Sequence, residues 1–214
     1  MNVLIIDPAS STGYCIYKFD GASADIIDWG FIEVEDTTEY DGDRYIDLAA
    51  KINKLITDNN IERIGIEDYF FSGRSPQGAT LNCAYRAVIH MVSRQRDIPY
   101  DILNISLWKK FVNGRSTPTK LQKAQWGKEP AKKLMTQESL WNKWNIRFPN
   151  HSLSKKTGKP IKFRYDIVDA VGMAIFHASI YLNSKSIMYN VIIPDDHEWK
   201  KEPKGIYNYG GNDE

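Results

Sequence analysis

The sequence has little cysteine, little histidine and no long hydrophobic run. Among its 214 residues there are two cysteines and four histidines. Because Cys15 and Cys83 show no CxxC spacing, neither a disulfide scaffold nor a zinc site is indicated, and we expect both thiols to be buried as small apolar side chains. No run approaches the ~18 apolar residues that cross a bilayer, and the first residues lack the pattern of a signal peptide. We therefore expect a soluble, intracellular protein with no membrane partner.

Acidic residues are almost missing from one segment of the chain. Between Ser106 and Tyr165, 15 Lys and Arg accompany only Glu129 and Glu138, which gives this segment a net charge of +13. Since the whole chain has a net charge of +1, the remainder has −12. Cations interleaved with aromatic rings favour a nucleic-acid partner, with a solvated charged face over core tryptophans as the alternative. The segment contains four of the six tryptophans, Trp108, Trp126, Trp141 and Trp144.

Apolar runs and helical periodicities predict an α/β fold. The first three predicted strands have short links and form an antiparallel meander. A strand–helix–strand connection makes the fourth parallel to one of them, and a right-handed crossover favours a place beside the first. Two stretches, 114–130 and 150–162, are rich in Gly, Pro, Ser, Thr and Lys, and we expect loops there that order when an anion binds. The predicted strands are 3–7, 14–17, 26–34, 61–67, 100–105 and 187–193, and the predicted helices are 40–59, 77–96, 131–144 and a last one from about 165.

Two of the predicted strands end in an acidic residue. Asp7 follows Val3–Ile6, and Glu67 ends the strand that begins at Ile61. If these strands are parallel neighbours, the two carboxylates lie about one strand spacing apart, ~5 Å, and must share a proton or a cation. The alternative for Asp7 is a turn-capping role before Pro8.

The last predicted helix begins with two more acidic residues, Asp166 and Asp169. Three positions apart, they lie on one helical face, although acidic residues in a first turn also serve as helix-dipole partners. Gly172 and the alanines around it would let this helix pack tightly on the sheet and hold the pair against Asp7 and Glu67. Such a cluster of hard oxygen ligands fits Mg²⁺ or Mn²⁺ rather than zinc.

Three segments, in order, resemble the motifs of RuvC-type Holliday junction resolvases, a branch of the ribonuclease-H-like nuclease superfamily. They are IIDPASSTGYCIY, IGIEDYFF and YDIVDAVGMAIFH, and they all lie within residues 3 to 177. The resemblance implies a ribonuclease-H-like mixed sheet, a three-stranded antiparallel meander plus parallel strands, flanked by helices. On this basis residues 1–185 form the nuclease domain, with basic insertions at about 113–130 and 146–164, and 186–214 form a partly disordered carboxyl-terminal extension. These additions suit a phage or viral relative.

The same resemblance implies an endonuclease that resolves four-way junctions by paired, metal-dependent nicks. Two Mg²⁺ ions, replaceable by Mn²⁺, would be held by Asp7, Glu67, Asp166 and Asp169, and the products would have a 5′ phosphate and a 3′ hydroxyl. Lys109 or Lys110 would neutralise charge on the phosphate, and a second lysine is left open among Lys120, Lys123, Lys132 and Lys133. The residues expected to bind DNA are Tyr69, Phe70, Lys120, Lys132, Lys133 and Arg164.

A junction has two equivalent strands to cut, so a two-fold homodimer suits it. The resemblance places much of the dimer contact on helix 77–96, where Tyr85, Ile89 and Met91 are available, with core packing as the alternative for each. His177 lies about 12 Å along the helix from Asp169, too far to bind the same metal, and a helix-end or DNA-backbone role is expected for it. The expected compartment is the cytoplasm of a bacterial host or of an infected cell.

Three other functions compete with this one. Another nuclease of the same fold could act on RNA–DNA hybrids, flaps or ribosomal RNA ends, since substrate choice depends on loops. A nucleotide-binding protein of the actin and sugar-kinase type needs a longer chain with more Gly-rich loops, so we expect no organic cofactor. A non-catalytic DNA-binding module is disfavoured because all four carboxylates are present.

Overall fold

The computed structural model describes residues 1–9, 12–34, 41–68, 76–148, 151–153, 160–162 and 165–189. A six-stranded mixed sheet has helices on both faces, and a two-stranded hairpin lies apart from it. None of the described helices combines the length and the apolarity needed to span a membrane. The strands are β1 (Asn2–Asp7), β2 (Thr12–Phe19), β3 (Ser23–Ile32), β4 (Ile61–Glu67), β5 (Tyr100–Leu103), β6 (His151–Leu153), β7 (Pro160–Lys162) and β8 (Ser186–Tyr189). The helices are α1 (Asp41–Asp58), α2 (Pro76–Gln95), α3 (Ile105–Asn113), α4 (Lys120–Trp126), α5 (Lys128–Trp144) and α6 (Asp166–Ile180).

The strand order of the large sheet is β5-β4-β1-β2-β3-β8. The strands β1, β2 and β3 pair antiparallel, whereas β4 is parallel to β1 and β5 is parallel to β4. The predicted meander and the predicted position of the fourth strand beside the first are therefore confirmed. This order puts the carboxyl ends of β1 and β4 side by side, at the end of the sheet where both strands finish.

Strand β1 is buried on both faces, as its continuous apolar run predicts. Val3 and Ile5 pack into the core cluster that contains α6, while Leu4 and Ile6 pack into the cluster that contains α1 and α2. All four side chains are fully buried, and burial of each contributes about 1.5–3 kcal/mol. The strand that ends in Asp7 is thus the centre of a three-layer structure.

The loop prediction for 114–130 is wrong, because α4 lies within it. The Thr119 side chain accepts a hydrogen bond from the Gln122 backbone N–H, and the Gln122 side chain accepts one from the Thr119 N–H. This reciprocal capping box stabilises a short helix despite the flanking glycines and prolines. The sequence analysis also assigned no helix to α3, which Asn104 caps at its start and Gly114, with φ of 74°, ends.

The loop prediction for 150–162 is also wrong for the residues that form β6 and β7, which pair antiparallel. Pro160 pairs at one end of this hairpin, where its missing N–H disturbs the ladder least. In the large sheet, β8 is an edge strand and pairs in parallel with β3. The division into a nuclease domain of 1–185 and an extension of 186–214 stays a prediction, and most of that extension lies outside the described residues.

Helix α2 has one face in the core and one in solvent. Tyr85 and Ile89, predicted to be available for a dimer contact, are buried with Val88 and Val92 in the core, so that prediction is wrong for both side chains. Met91 lies on the other face and is 49% exposed. Buried Cys15 confirms the expectation for that thiol, but Cys83 is exposed because it lies off the apolar stripe of α2.

His177 lies in the last turn of α6 but is wholly buried, so the predicted DNA-backbone role is wrong. Its Nδ1 pairs with the Tyr17 hydroxyl, and its Nε2 lies 2.9 Å from Asp101 Oδ2. The Arg63 guanidinium donates two further hydrogen bonds to the same carboxylate. Partial burial opposes ionisation of Asp101, but the bonds from His177 and Arg63 outweigh it and lower the pKa of that carboxyl. These four side chains therefore join α6 to β2, β4 and β5.

We expect Asp101→Asn to destabilise the fold by about 2 kcal/mol at pH 7, because it removes the negative charge and replaces one of the two oxygen acceptors used by His177 and Arg63 with an NH₂ donor. Folding lowers the pKa of Asp101, so the stabilisation is complete above the unfolded value near pH 4 and declines as the pH falls below it. Urea unfolding at pH 7 and pH 3 should show a smaller difference from the wild type at pH 3. Asp58→Asn, at an exposed pair on α1, is the matched control and should change stability by less than about 0.5 kcal/mol. An unchanged Asp101→Asn midpoint at pH 7 would contradict the role of this network.

Candidate active site

Asp7 and Glu67 lie next to each other at the ends of β1 and β4. The parallel register pairs Ile6 with Ile66, so the acidic residues that follow occupy adjacent positions. The charge of the Glu67 carboxylate acts directly on Asp7. Asp7 is only 6% exposed. The sequence-based expectation that these groups are neighbours is confirmed.

The first turn of α6 approaches the carboxyl ends of β1 and β4 because residue 13 is a glycine. Asp7 pairs with Gly13 across β1 and β2, and a Cβ atom at residue 13 would lie 2.2 Å from the Asp166 carbonyl oxygen. Any other side chain would push the start of α6 off the sheet. The expectation that Gly172 serves this packing is wrong, since a Cβ there would contact Trp108 and Thr136 on α3 and α5 rather than the sheet.

A lysine from α3 completes the group. Lys109 Nζ lies 3.8 Å from Asp169 Oδ2, and its side chain is 21% exposed. Burial disfavours the ammonium charge, but the surrounding carboxylates outweigh it and raise the pKa of Lys109. Lys110 lies on the exposed side of the same helix. The two lysines that the sequence could not separate are thus placed differently.

The electrostatics show how closely the acidic groups lie. Burial raises the pKa of the Asp7 carboxyl well above its ordinary value, and the charges of the other three acidic residues raise it further. Burial also raises the pKa of Glu67 to about 7, although Lys109 and a hydrogen bond from Trp108 lower it. The pKa of Asp169 is raised by burial, against the lowering effects of Lys109, the nearby Thr136 hydroxyl and Lys133. The three acidic residues that act on Asp7 are Glu67, Asp169 and Asp166.

The remaining predicted residues fall into two groups. Lys133, near the start of α5, lies 5.9 Å from the centre of the Tyr165 ring, and its charge acts on Asp169. Among the four lysines left open for the second active-site position, Lys133 is thus one whose charge acts directly on a carboxylate of the site. Lys120 is exposed on α4, and Lys132 is half-buried on α5. Outside the described residues lie Tyr69, Phe70 and Arg164.

Trp108 also contributes to the site, a role that its sequence position did not indicate. It was grouped with tryptophans that stack on bases, but it is wholly buried and its indole N–H donates to Glu67 Oε1 at 2.9 Å. A base cannot reach a buried ring, so the stacking role is wrong for Trp108. No sequence signal distinguished it, since the distance from Glu67 is 41 residues along the chain.

The fit to a divalent cation rests on the donor chemistry. Within the described part of the chain, no three His, Cys, Asp or Glu side chains are arranged as they stand to hold a metal ion. Asp169 Oδ2 faces Lys109 Nζ instead. However, Asp169 Oδ1 is buried with no hydrogen-bond partner, and all candidate ligands are oxygen atoms, which suit Mg²⁺ and Mn²⁺. A divalent ion would offset the mutual repulsion of these carboxylates and supply the partner that Asp169 Oδ1 lacks.

The comparisons with known proteins agree with this architecture. The family model for the crossover junction endodeoxyribonuclease RuvC matches residues 3–137. The comparison with curated proteins gives no match. The structure is similar to RuvC of Thermus thermophilus, with a TM-score of 0.60, 14% identity, and coverage of 86% of this chain and 98% of that one.

Two further solved structures share the fold. T. thermophilus RuvC in complex with a Holliday junction substrate has a TM-score of 0.58 and 17% identity, with 83% of this chain and 93% of that chain covered. The yeast mitochondrial Holliday junction resolvase Ydc2 has a TM-score of 0.50 and 19% identity, with 80% and 75% covered. The family match includes Asp7, Glu67, Trp108 and Lys109, and the mixed sheet is that of the ribonuclease-H-like fold. The chain therefore belongs to the crossover junction endodeoxyribonuclease RuvC family.

Proposed function

We propose that this protein is a structure-selective DNA endonuclease that resolves four-way junctions by paired, metal-dependent nicks. The observation that supports this most directly is the gathering of Asp7, Glu67 and Asp169 around the Lys109 ammonium. Buried acidic groups with raised pKa values beside a lysine are an unfavourable arrangement for folding and are typical of functional sites. Membership of the RuvC family supports the choice of a junction as the substrate.

The chemistry is hydrolysis of a phosphodiester bond. Asp7, Glu67, Asp166 and Asp169 would hold two Mg²⁺ ions, with Mn²⁺ as a substitute, and these ions would activate water and stabilise the leaving 3′ oxygen. Lys109 would place its ammonium beside the scissile phosphate and neutralise the charge that develops there. Because the site is largely buried, these charges interact more strongly than they would in water.

The basic segment would bind the arms of the junction. Lys133 lies nearest the carboxylates, and Lys120 and Lys132 lie farther along α4 and α5. Each lysine that contacts a phosphate releases counterions, so junction affinity should fall steeply with salt. Tyr69, Phe70 and Arg164 remain proposed DNA contacts, with the aromatic pair stacking on bases at the branch point.

A homodimer would present two active sites to the two equivalent strands. The solvent face of α2, which includes Met91, is the proposed contact, since Tyr85 and Ile89 belong to the core. Sedimentation at micromolar concentration should give twice the 24.6 kDa of one chain. A species of one chain at all concentrations would contradict the dimer.

A cleavage panel tests the function. The full chain is incubated with labelled four-way junction, linear duplex, flap or RNA–DNA hybrid, each with Mg²⁺ and with chelator. We expect symmetric nicks in the junction alone, with ligatable 5′-phosphate and 3′-hydroxyl ends, and none with chelator. Cutting of the hybrid or flap without the junction would overturn the substrate assignment, and cutting in chelator would overturn the metal assignment.

A further inference from the structure

Trp108 contacts the acidic group through a bond that an ordinary core residue does not make. Its indole N–H, a donor with no acceptor function, is 2.9 Å from Glu67 Oε1. Trp108 is fully buried and Glu67 is half-buried, and a hydrogen bond that is partly shielded from water is stronger than an exposed one. Trp108 therefore fixes the orientation of one of the four carboxyl groups.

The indole is held on more than one side. A Cβ atom at Gly172 of α6 would lie 3.1 Å from the ring, so the ring occupies the space that this glycine leaves. The ammonium of Lys109 lies 4.9 Å from the ring centre, within range of a cation–π attraction. One turn along α3, Val112 is also fully buried. The direction of the N–H is thereby set by packing.

The type of donor matters for a site that binds cations. A lysine or arginine at this position would neutralise Glu67 and compete with a divalent ion, whereas the indole is uncharged. It takes one lone pair of the carboxylate and leaves the negative charge available to a metal. Groups that hydrogen-bond metal-binding carboxylates typically change metal affinity 10- to 100-fold when removed.

We propose that Trp108 is a positioning residue of this site: it orients Glu67 for a divalent cation through its N–H, and it holds Lys109 beside the same carboxylates through its ring. This inference rests on the proposed function for the identity of the bound cation. It gives one side chain two tasks, since both the ligand and the lysine depend on its placement. Trp108 itself would touch neither metal nor DNA.

The test separates the N–H from the bulk of the ring. Replacing Trp108 with 3-benzothienylalanine keeps the bicyclic shape and removes only the donor, and Trp108→Phe is the simpler companion variant. Binding of MnCl₂ is measured by calorimetry without DNA, alongside the melting temperature in chelator. We expect Mn²⁺ affinity to fall about 10-fold or more in both variants, with the melting temperature of the benzothienyl variant nearly unchanged. Trp144→Phe, at the far end of α5, is the matched control and should retain wild-type affinity.

Three outcomes decide the matter. Mn²⁺ affinity within twofold of the wild type in the benzothienyl variant would overturn the proposal and leave Trp108 as a packing residue. A wild type that binds no Mn²⁺ would overturn it as well. A wild type that binds Mn²⁺ more tightly than the variant, yet cuts no four-way junction, would support the positioning role while the proposed substrate fails.

Discussion

The Asp7→Asn variant is expected to cut four-way junctions about 10³-fold more slowly than the wild type while binding them with unchanged affinity. Asp7 lies at the centre of the acidic group, where Glu67, Asp169 and Asp166 all act on its charge. Loss of one such ligand removes several kcal/mol of transition-state stabilisation, and each 1.4 kcal/mol is a factor of ten in rate. Rates are measured in Mg²⁺ after removal of contaminating metals, and binding by gel shift in chelator.

The same variant should be more stable than the wild type without metal. A carboxyl whose pKa is raised by folding destabilises the fold above its unfolded value near pH 4, since folding then has to protonate it or bury its charge. Asparagine has no charge to bury. We therefore expect a higher melting temperature in chelator at pH 7 and a smaller rise on addition of MnCl₂. Wild-type cleavage by Asp7→Asn, or an unchanged response to Mn²⁺, would contradict the assignment of Asp7 as a ligand.

Lys109→Met is expected to reduce the cleavage rate by about 10²-fold to 10³-fold, the range found when a single preorganised charge-stabilising group is removed. Methionine keeps most of the length of the side chain but has no charge. Lys110→Met, one position along α3 on its exposed side, is the matched control and should stay within about twofold of the wild type. Lys133→Met should fall between them, because Lys133 acts on Asp169 from α5.

The metal-free stability of Lys109→Met gives a second, independent measurement. Lys109 lowers the pKa of Glu67, which is about 7, so removing Lys109 raises that pKa further. Below pH 7 the Glu67 carboxyl is protonated in both folded proteins. Above pH 7, ionising it costs less free energy in the wild type than in the variant, where its pKa is higher. The destabilisation in chelator should therefore be larger at pH 8 than at pH 6. A greater loss of activity in Lys110→Met than in Lys109→Met would contradict the assignment of the active-site lysine.

The sequence was most informative where its signals are local. A buried apolar run that ends in Asp7, and a second that ends in Glu67, predicted two parallel strands and two neighbouring carboxylates, since strand direction determines which ends meet. The three-residue spacing of Asp166 and Asp169 likewise determines their shared helical face. These signals need only the backbone geometry of one element or one crossover.

Other features depend on contacts between residues distant in sequence. The T-x-x-Q signal at Thr119 was available but was outweighed by the prolines and glycines around it, so α4 was missed. The burial of His177 was missed because the length of α6 does not reveal which of its turns other elements cover. Its partners Asp101 and Tyr17 are 76 and 160 residues away along the chain. Tyr85 and Ile89 were left open between a dimer contact and the core, because an apolar stripe does not reveal whether a sheet or a partner covers it.

The sequence by itself determined the acidic strand ends, the acidic first turn of α6, the basic segment and the family motifs, because each is a pattern within one stretch of chain. Only the tertiary structure decided that Lys109 rather than Lys110 faces the carboxylates, and that Trp108 donates to Glu67. It also decided that the absence of a side chain at Gly13 lets the start of α6 pack close to the end of β1. Those three depend on the packing of α3 and α6 against the sheet. Packing sets side-chain direction through distances between elements that no periodicity in the chain encodes.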